Sequence, residues 1–347
     1  MNSKVDNAMF SVIKLPRLGE PGDRFVAAKI KKLLKPNTPI LITGHERPDG
    51  DCIGSEIALC SILRCAGYQA VIVNTEPIPA RYQFLDSQGW ARVVAMDECL
   101  EAAVIFVLDA SDLTRLGRIK IQRSSQATII ALDHHPDNLC FGDINWIDRK
   151  AAATGELIWR LAACCGWHAP PLAMDALYIA LLTDTGQFSY ANTTPRAMRM
   201  AAHLIESGVD PEQMWRRVYL NKPPEELALE TCARANLEFF ADGRICSIAL
   251  RYADFHDTCT SPANTEQFVQ IPRSVAGVEM ALFFYEINEG RETKVSIRTT
   301  RRLDASALAH RFGGGGHRQA AGCSLPVPLV QAKKKFLAEA VRVVKKR

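Results

Sequence analysis

From residue 24 to about residue 150, short runs of apolar residues alternate with stretches in which apolar positions recur every three to four residues. The runs Pro39–Thr43, Ala70–Asn74, Val104–Asp109 and Thr128–Asp133 are almost continuously apolar. Strands of that kind are covered on both faces, which predicts a mainly parallel sheet. Asp23–Leu34, Ile53–Ala66 and Ala80–Gln88 carry the helical period between them and predict the covering helices. From about 151 to 240 the pattern is almost wholly helical, over Thr154–Cys165, Leu172–Leu182, Arg196–Ser207, Pro211–Tyr219 and Pro224–Phe240. Asn192 to Pro195 and Asp210-Pro211 act as start signals there. Strand patterns return at Arg244–Arg251, Val278–Tyr285 and Thr293–Arg298, followed by a helix from Asp304, four consecutive glycines and a terminal helix. The apolar stripe of that last helix is Leu329, Phe336, Leu337, Ala340, Val341 and Val344.

The pattern predicts an α/β protein of two domains. An N-terminal extension covers residues 1–22, and a domain with a mainly parallel sheet flanked by helices covers 23–215. A helical linker follows over 216–240, then a smaller C-terminal α/β domain over 241–347, with a cleft expected between the two domains. Length agrees, since 347 residues exceed one ordinary domain. With 48% hydrophobic and 23% charged residues the composition is globular and excludes a disordered chain. No apolar run approaches the roughly 18 residues of a membrane span, and MNSKVDNAMFSVIKLP has no signal-peptide core, so no membrane and a cytoplasmic location are expected. The 11 cysteines are scattered, include no C-x-x-C pair, and sit in apolar contexts at Cys60, Cys65, Cys164 and Cys165. That usage argues against a disulfide framework and a thiolate zinc site.

Charge is uneven. Residues 291–347 hold 14 Lys and Arg against 3 Asp and Glu, leaving 28 against 35 for residues 1–290. A basic end beside an acidic body suggests an anionic ligand, although Lys333 to Lys335 and Lys345 to Arg347 also read as a solvated helix face.

Four groups of acids and histidines fall at the ends of the expected strands and helices. They are His45-x-x-x-Asp49-x-Asp51, Asp109 with Asp112, Asp133-His134-His135, and Asp184 in Leu182-Thr183-Asp184-Thr185-Gly186. Each has a structural explanation alone: Pro48-Asp49-Gly50 is a turn signal, Asp51 or Ser55 could cap a helix, and so could Asp112. Parallel strands, however, bring their carboxyl ends to one rim, so the groups should converge. Clustered carboxylates repel and raise one another's pKa, which calls for a cation. Two divalent ions would balance Asp49, Asp51, Asp109 and Asp184, with two imidazoles completing the set. Carboxylate and imidazole without thiolate suit Mn²⁺ best, with Mg²⁺ or Fe²⁺ as alternatives and structural zinc disfavoured. The expected chemistry is in-line attack of metal-activated water on phosphorus.

These four groups, in this order, resemble the motifs of the DHH phosphoesterase superfamily. Gly313-Gly314-Gly315-Gly316-His317 with Ala320-Ala321-Gly322 resembles the signature of the associated DHHA1 domain, and the whole is most similar to the NrnA-like oligoribonuclease and pAp-phosphatase branch. The resemblance spans roughly residues 35–330. It implies that His45, Asp49 and Asp109 hold one metal, and that Asp51, Asp109, His134 and Asp184 hold the other, with Asp109 bridging. It further implies His135 beside the scissile phosphate and Asp133 orienting the histidines, the alternative for His135 being a structural hydrogen bond.

The glycine run would let backbone N–H groups approach a phosphate, with His317 and Arg318 at its exit, so Gly314, Gly315, Gly316, His317, Arg318 and Arg298 are the expected substrate-binding residues. Taken alone the glycines read more plainly as a hinge or bare turn, but Arg298 at the end of the preceding strand favours the phosphate reading. Thr299 stands where relatives carry Ser after that arginine. The expected substrates are oligoribonucleotides of about 2–5 nucleotides, cut to nucleoside 5′-monophosphates, together with pAp; 7% aromatic residues do not suit a long single-strand track. Alternatives are a phosphodiesterase for cyclic dinucleotides or for linear pGpG and pApA, and a non-catalytic nucleotide-binding relative. Homodimerisation is left open.

Overall fold

The computed structural model describes residues 13–16, 20–95, 98–100, 102–121, 127–265 and 267–345. The extension expected over 1–22 thus lies outside the described residues except at 13–16 and 20–22, as do Lys346 and Arg347 of the basic end. The chain divides into two compact units, Met1–Asn221 and Lys222–Arg347.

In the first unit two short ribbons, β1 (Ile13–Lys14) with β10 (His168–Ala169) and β5 (Cys99–Leu100) with β7 (Lys120–Ile121), accompany a six-stranded sheet. Its strands are β2 (Pro39–Thr43), β3 (Gln69–Asn74), β4 (Ala91–Val93), β6 (Val104–Leu108), β8 (Thr128–Asp133) and β9 (Ile144–Ile147), in the order β4-β3-β2-β6-β8-β9. Every pairing in it is parallel. Side chains alternate between two cores, as the two-residue period requires. Ile40, Ile42, Phe106 and Leu108 enter one core, and Leu41, Ile105 and Val107 enter the other. The chain runs outward from β2 through β3 to β4, then returns to pair β6 against the other edge of β2. Loops leaving β2 and β6 therefore diverge, and doubly wound sheets bind ligands at such a point.

Among the described residues this unit has six α-helices: α1 (Asp23–Leu33), α2 (Gly50–Cys65), α3 (Thr154–Cys165), α4 (Pro171–Asp184), α5 (Pro195–Glu206) and α6 (Pro211–Tyr219). Helix α2 is buried from Gly50 to Leu63. It meets α4 backbone to backbone because Gly54 has no side chain: a Cβ there would lie 2.5 Å from the Ala176 carbonyl. That approach brings the acidic ends of the two helices together.

The second unit contains α7 (Pro224–Ala235), α8 (Tyr252–Asp257), α9 (Gln270–Arg273), α10 (Ala305–His310) and α11 (Leu329–Lys345). Its sheet has the order β11 (Glu238–Phe240), β12 (Ile245–Leu250), β13 (Met280–Ile287), β14 (Glu292–Thr299), β16 (Ala320–Leu325), β15 (Gly315–His317). All pairings are antiparallel except β12 with β13. Leu329, Ala332, Phe336, Ala340 and Val344 of α11 join one core, with Leu337 and Val341 packed beside it, close to the stripe read from the sequence. Lys333 of the same helix donates to Glu238, as a solvated face would.

Three expectations about elements are corrected. The helix expected over Ala80–Gln88 is a 3₁₀ helix, Ala80–Asp86, whose buried Tyr82 and Leu85 lie three residues apart and suit the tighter period. The helix expected over Pro224–Phe240 stops at Ala235, where Asn236 donates to the carbonyls of Cys232 and Ala249. Its remainder becomes β11, turned back onto β12 through Ala241, Asp242 and Gly243, all with positive φ. Helix α2 starts three residues earlier than Ile53, because Asp49 caps it.

Candidate metal and phosphate site

Strand β2 ends at Thr43, and the next residue has no room for a side chain: a Cβ on Gly44 would lie 2.1 Å from the Cys52 sulfur. His45 follows, its Nδ1 2.8 Å from the Glu46 carbonyl oxygen. Because a carbonyl only accepts, Nδ1 is the donor and Nε2 is the nitrogen that faces the carboxylates. Nε2 lies 3.5 Å from Asp109 Oδ2 and 3.9 Å from Asp49 Oδ1. Asp49 is also the N-cap of α2, accepting from the N–H groups of Asp51 at 3.0 Å and Cys52 at 3.1 Å.

Asp51, 1% exposed, is held from another element altogether. Its carboxylate accepts from the N–H groups of Thr154 at 2.6 Å and Gly155 at 3.0 Å in the first turn of α3, and from the Ser55 hydroxyl at 3.0 Å. Unsatisfied N–H groups and the positive end of a helix dipole favour an anion there. Asp109 leaves β6 with φ 54°, a left-handed conformation that Asp tolerates better than most residues, and Thr154 Oγ1 donates to its Oδ1 at 3.1 Å.

His134 closes the arrangement. Its Nδ1 lies 3.2 Å from the Ala151 carbonyl oxygen and donates to it, which leaves Nε2 as the nitrogen turned to the carboxylates. Around Nε2 stand Asp51 Oδ2, Asp109 Oδ1 and Asp184 Oδ2, each at 3.6 Å. Such separations are too long for hydrogen bonds. They match donor atoms sharing one ion, which at metal–ligand distances of about 2.1 Å lie roughly 3.0–3.6 Å apart. The donors therefore fit a divalent cation. Asp184 sits at the end of α4, where Asn192 Nδ2 donates to its Oδ2 at 3.1 Å.

Asp133 is fully buried. Oδ1 accepts from the N–H groups of His134 at 2.8 Å and His135 at 3.2 Å and from His135 Nδ1 at 2.7 Å, while Oδ2 accepts from Asn138 Nδ2 at 2.6 Å. The ring of His135 is thereby fixed, with Nδ1 3.6 Å from Asp109 Oδ1.

Without a cation, the cluster is electrostatically uncomfortable. Burial pushes the pKa of Asp51 well up, and the neighbouring Asp109 adds to it. Burial likewise raises Asp184 to about 6, although His134 pulls the other way. Burial should lower His134, but Asp184, Asp51 and Asp109 outweigh it and raise the imidazole to about 10. For His45, burial is outweighed in the same way by Asp109 and Asp49. Protons are being held where a metal ion would displace them.

The structure thus brings together two overlapping sets in the first unit, Asp51, Asp109, His134 and Asp184, and His45, Asp49 and Asp109. Asp112 stands apart: it caps the 3₁₀ turn Leu113–Leu116 by accepting from Thr114 N. Several supporting residues have no obvious signal in the sequence. Thr154 opens an ordinary helix, and Asn138 and Asn192 occupy loops. Beneath the site Glu56 is fully buried, accepting from Asn74 Nδ2 at 2.8 Å, and burial raises it to about 8. Cys52 donates to Glu56 at 3.8 Å, and its sulfur also comes within ligand range of His45 and Asp109. Burial pushes that thiol well up and keeps it neutral.

In the second unit Arg298, Ala320 and His317 form one cross-strand row, so their side chains share a face. Arg298 is half-buried, and its Nη1 donates to the Ile297 carbonyl at 3.0 Å, while Nε is buried without a hydrogen-bond partner among the described residues. Thr299 turns its hydroxyl to the backbone carbonyls of Leu303 and Arg318, and the Arg318 side chain is exposed. Packing accounts for part of the glycine run. A Cβ on Gly314 would lie 2.1 Å from the Gly322 carbonyl, and Gly316 has φ 125°.

Comparison with known proteins follows the division into units. The DHH family, N-terminal domain, matches residues 39–183, and the DHHA1 domain matches residues 249–346. A bifunctional oligoribonuclease and PAP phosphatase NrnA of Thermus thermophilus is 30% identical over 325 residues, 92% of this chain and 93% of that protein. The protein of the same name from Bacillus subtilis is 26% identical over 289 residues, 82% of this chain and 89% of that one. Among solved structures, an exopolyphosphatase-related protein from Bacteroides fragilis superposes with a TM-score of 0.81 at 24% identity, covering 92% of this chain and 96% of that one.

Proposed function

The chain belongs to the DHH phosphoesterase family and carries a DHHA1 domain, and on that premise we propose that it is a metal-dependent exoribonuclease of short oligoribonucleotides that also converts pAp to AMP. Products would be nucleoside 5′-monophosphates, released from chains of about two to five nucleotides. The observation that carries this reading is the ring of three carboxylate oxygens at 3.6 Å from His134 Nε2. Two divalent ions, Mn²⁺ by preference, would be held by His45, Asp49 and Asp109 and by Asp51, Asp109, His134 and Asp184. When bound they would polarise the phosphoryl group and make water a better nucleophile.

The protein's own groups have separate tasks. Asp133 fixes the ring of His135, which would meet a non-bridging oxygen of the scissile phosphate or supply a proton to the leaving oxygen. Asp109 would answer both ions, and the Thr154 hydroxyl holds its carboxylate in place. In the second unit Arg298, with His317 and Arg318 and the backbone of Gly314, Gly315 and Gly316, would hold the distal part of the nucleotide. The buried Nε of Arg298 supports an anion there, since a buried donor without an acceptor is costly. Among the described residues no helix is long and apolar enough to cross a membrane. All eleven cysteines are unpaired, which supports a reducing, cytoplasmic setting.

The test is a parallel assay with saturating Mn²⁺ on a diribonucleotide, a pentanucleotide, pAp, pGpG and cyclic di-AMP. Cleavage of the dinucleotide and pAp is expected. An uncut dinucleotide defeats the oligoribonuclease reading.

A further inference from the structure

The loop that supplies His45 and Asp49 also presents a residue with no part in the site described so far. Arg47 lies between them, two residues from each, so its Cα is within about 7 Å of either Cα. It is exposed, and its side chain has no hydrogen-bond or ion-pair partner among the described residues. Its backbone has φ 56°, the left-handed region, which a long side chain enters only at some cost.

The conformation is pinned from the facing loop, where Glu46 N donates to the Arg115 carbonyl at 2.6 Å. Arg115 is also exposed and has no side-chain partner among the described residues, and Arg118 donates to the Thr75 carbonyl after β3 at 2.9 Å. Arg47 and Arg115 thus stand exposed on the loops that diverge after β2 and β6, with Arg118 tied further along at the end of β3 and with half-buried Glu46 and Asp112 as acidic neighbours on the same loops. Bare positive charge beside a carboxylate cluster adds nothing to holding cations. It suits a second phosphate on the substrate.

We infer that Arg47, with Arg115 on the facing loop, is a specificity determinant that receives a terminal phosphomonoester of the substrate next to the scissile phosphate. The inference rests on the phosphoesterase reading above. It predicts a preference for nucleoside bisphosphates and 5′-phosphorylated dinucleotides over the same dinucleotide ending in a hydroxyl. A guanidinium binds a phosphate dianion through paired, charge-assisted hydrogen bonds, so losing it should be felt only where that dianion exists.

The test measures kcat/KM with Mn²⁺ for a diribonucleotide with and without a 5′-phosphate. Arg47→Asn and Arg47→Gly both tolerate positive φ, so neither should perturb the loop. In each, the ratio of phosphorylated to unphosphorylated substrate should fall about tenfold or more, with Arg47→Lys in between. A ratio within about twofold of the unmodified protein, which is under 0.5 kcal/mol, overturns the inference. If the unmodified protein cuts neither dinucleotide, the phosphoesterase reading fails separately. Calorimetric titration of adenosine 3′,5′-bisphosphate against adenosine then decides the inference: weakening of the bisphosphate alone by Arg47→Asn supports it, and equal affinities overturn it.

Discussion

Two groups of buried carboxylates lie in the first unit, and the protein answers them differently. Around Arg160, which is 2% exposed, Asp23 accepts at 2.8 and 2.5 Å and Asp148 at 2.5 Å. Glu156 lies beside them and pairs with Arg196, which also donates to Asp148 at 3.2 Å. Here each carboxylate has a guanidinium, and hydrogen bonds close the charge. Around His134 the carboxylates of Asp51, Asp109 and Asp184 have an imidazole at 3.6 Å and one another. Burial by itself therefore does not mark a functional acid. The mark is a buried acid whose counter-charge the protein does not supply.

That contrast breaks if removing a carboxylate has the same consequence in both places. The largest effect is expected at Asp184. Asp184→Asn should lower kcat/KM with Mn²⁺ by about a thousandfold or more, because a ligand is lost. The folded pKa of Asp184, about 6, lies above its ordinary 3.8. The ionised form thus weakens the metal-free fold above pH 6, and Asp184→Asn should leave metal-free stability at pH 8 unchanged or higher by about 1–3 kcal/mol. Thermal unfolding in chelator checks this, and a clear loss of stability would contradict the strained cluster. Asp51 is the worse choice for such a test, because it also holds the first turn of α3. In the paired network the sign reverses. Arg160→Met leaves buried Asp23 without a guanidinium and Asp148 with Arg196 alone, and should cost about 3–5 kcal/mol. Activity per folded molecule should persist, and denaturant titration beside active-site titration separates the two quantities.

The contrast also explains what could be read from the sequence. His45, Asp49 and Asp51 lie within one turn and the start of one helix, and Asp109, Asp133 and Asp184 end apolar runs, so local pattern and the parallel-sheet rule were enough to bring them together. The groups that hold them were not legible. The N–H groups of Thr154 and Gly155 reach Asp51 across about a hundred residues, and no local signal distinguishes that threonine from an ordinary helix start. Asn138 and Asn192 read as loop residues until their acceptors are known. In the second unit, β11 was hidden because Leu237 to Phe240 continue the apolar spacing of α7, and only pairing with β12 selects the strand. Ala320–Leu325 is short and made largely of small residues, with little to set it apart from a turn.

Beneath the metal-facing groups Glu56 offers a finer test, since it has an amide partner in Asn74 and no guanidinium. Its folded pKa, about 8, lies above the ordinary 4.5. The contribution of the neutral acid is complete below about pH 4.5 and is lost as pH rises through 8. Metal-free protein should therefore lose stability across that window. Glu56→Gln keeps the acceptor for Asn74 and removes the charge, so it should flatten the profile and gain on the order of a few kcal/mol at pH 8. Parallel melting curves from pH 5 to 8.5 make the comparison, and identical slopes would show that Glu56 is ionised and stabilised by something else.

The smallest effect is expected where a neutral side chain serves the unanswered cluster. Asn192 Nδ2 lies 2.8 Å from the Ala152 carbonyl, 3.1 Å from the Asp184 carbonyl and 3.1 Å from Asp184 Oδ2. One amide thus ties the end of α4 to the segment before α3, and turns a carboxylate oxygen toward His134. Asn192→Ala leaves all the proposed ligands in place but frees the Asp184 side chain to rotate. Mn²⁺ affinity should fall about tenfold, as is usual when the partner of a metal ligand is removed, and the fold should lose only about 1 kcal/mol. Turnover at saturating Mn²⁺ should recover most of its value, because the ligand set is intact. If metal titration shows unchanged affinity while stability drops by several kcal/mol, Asn192 belongs with the structural hydrogen bonds of α3 and α4, and the orientation of Asp184 is set by burial alone.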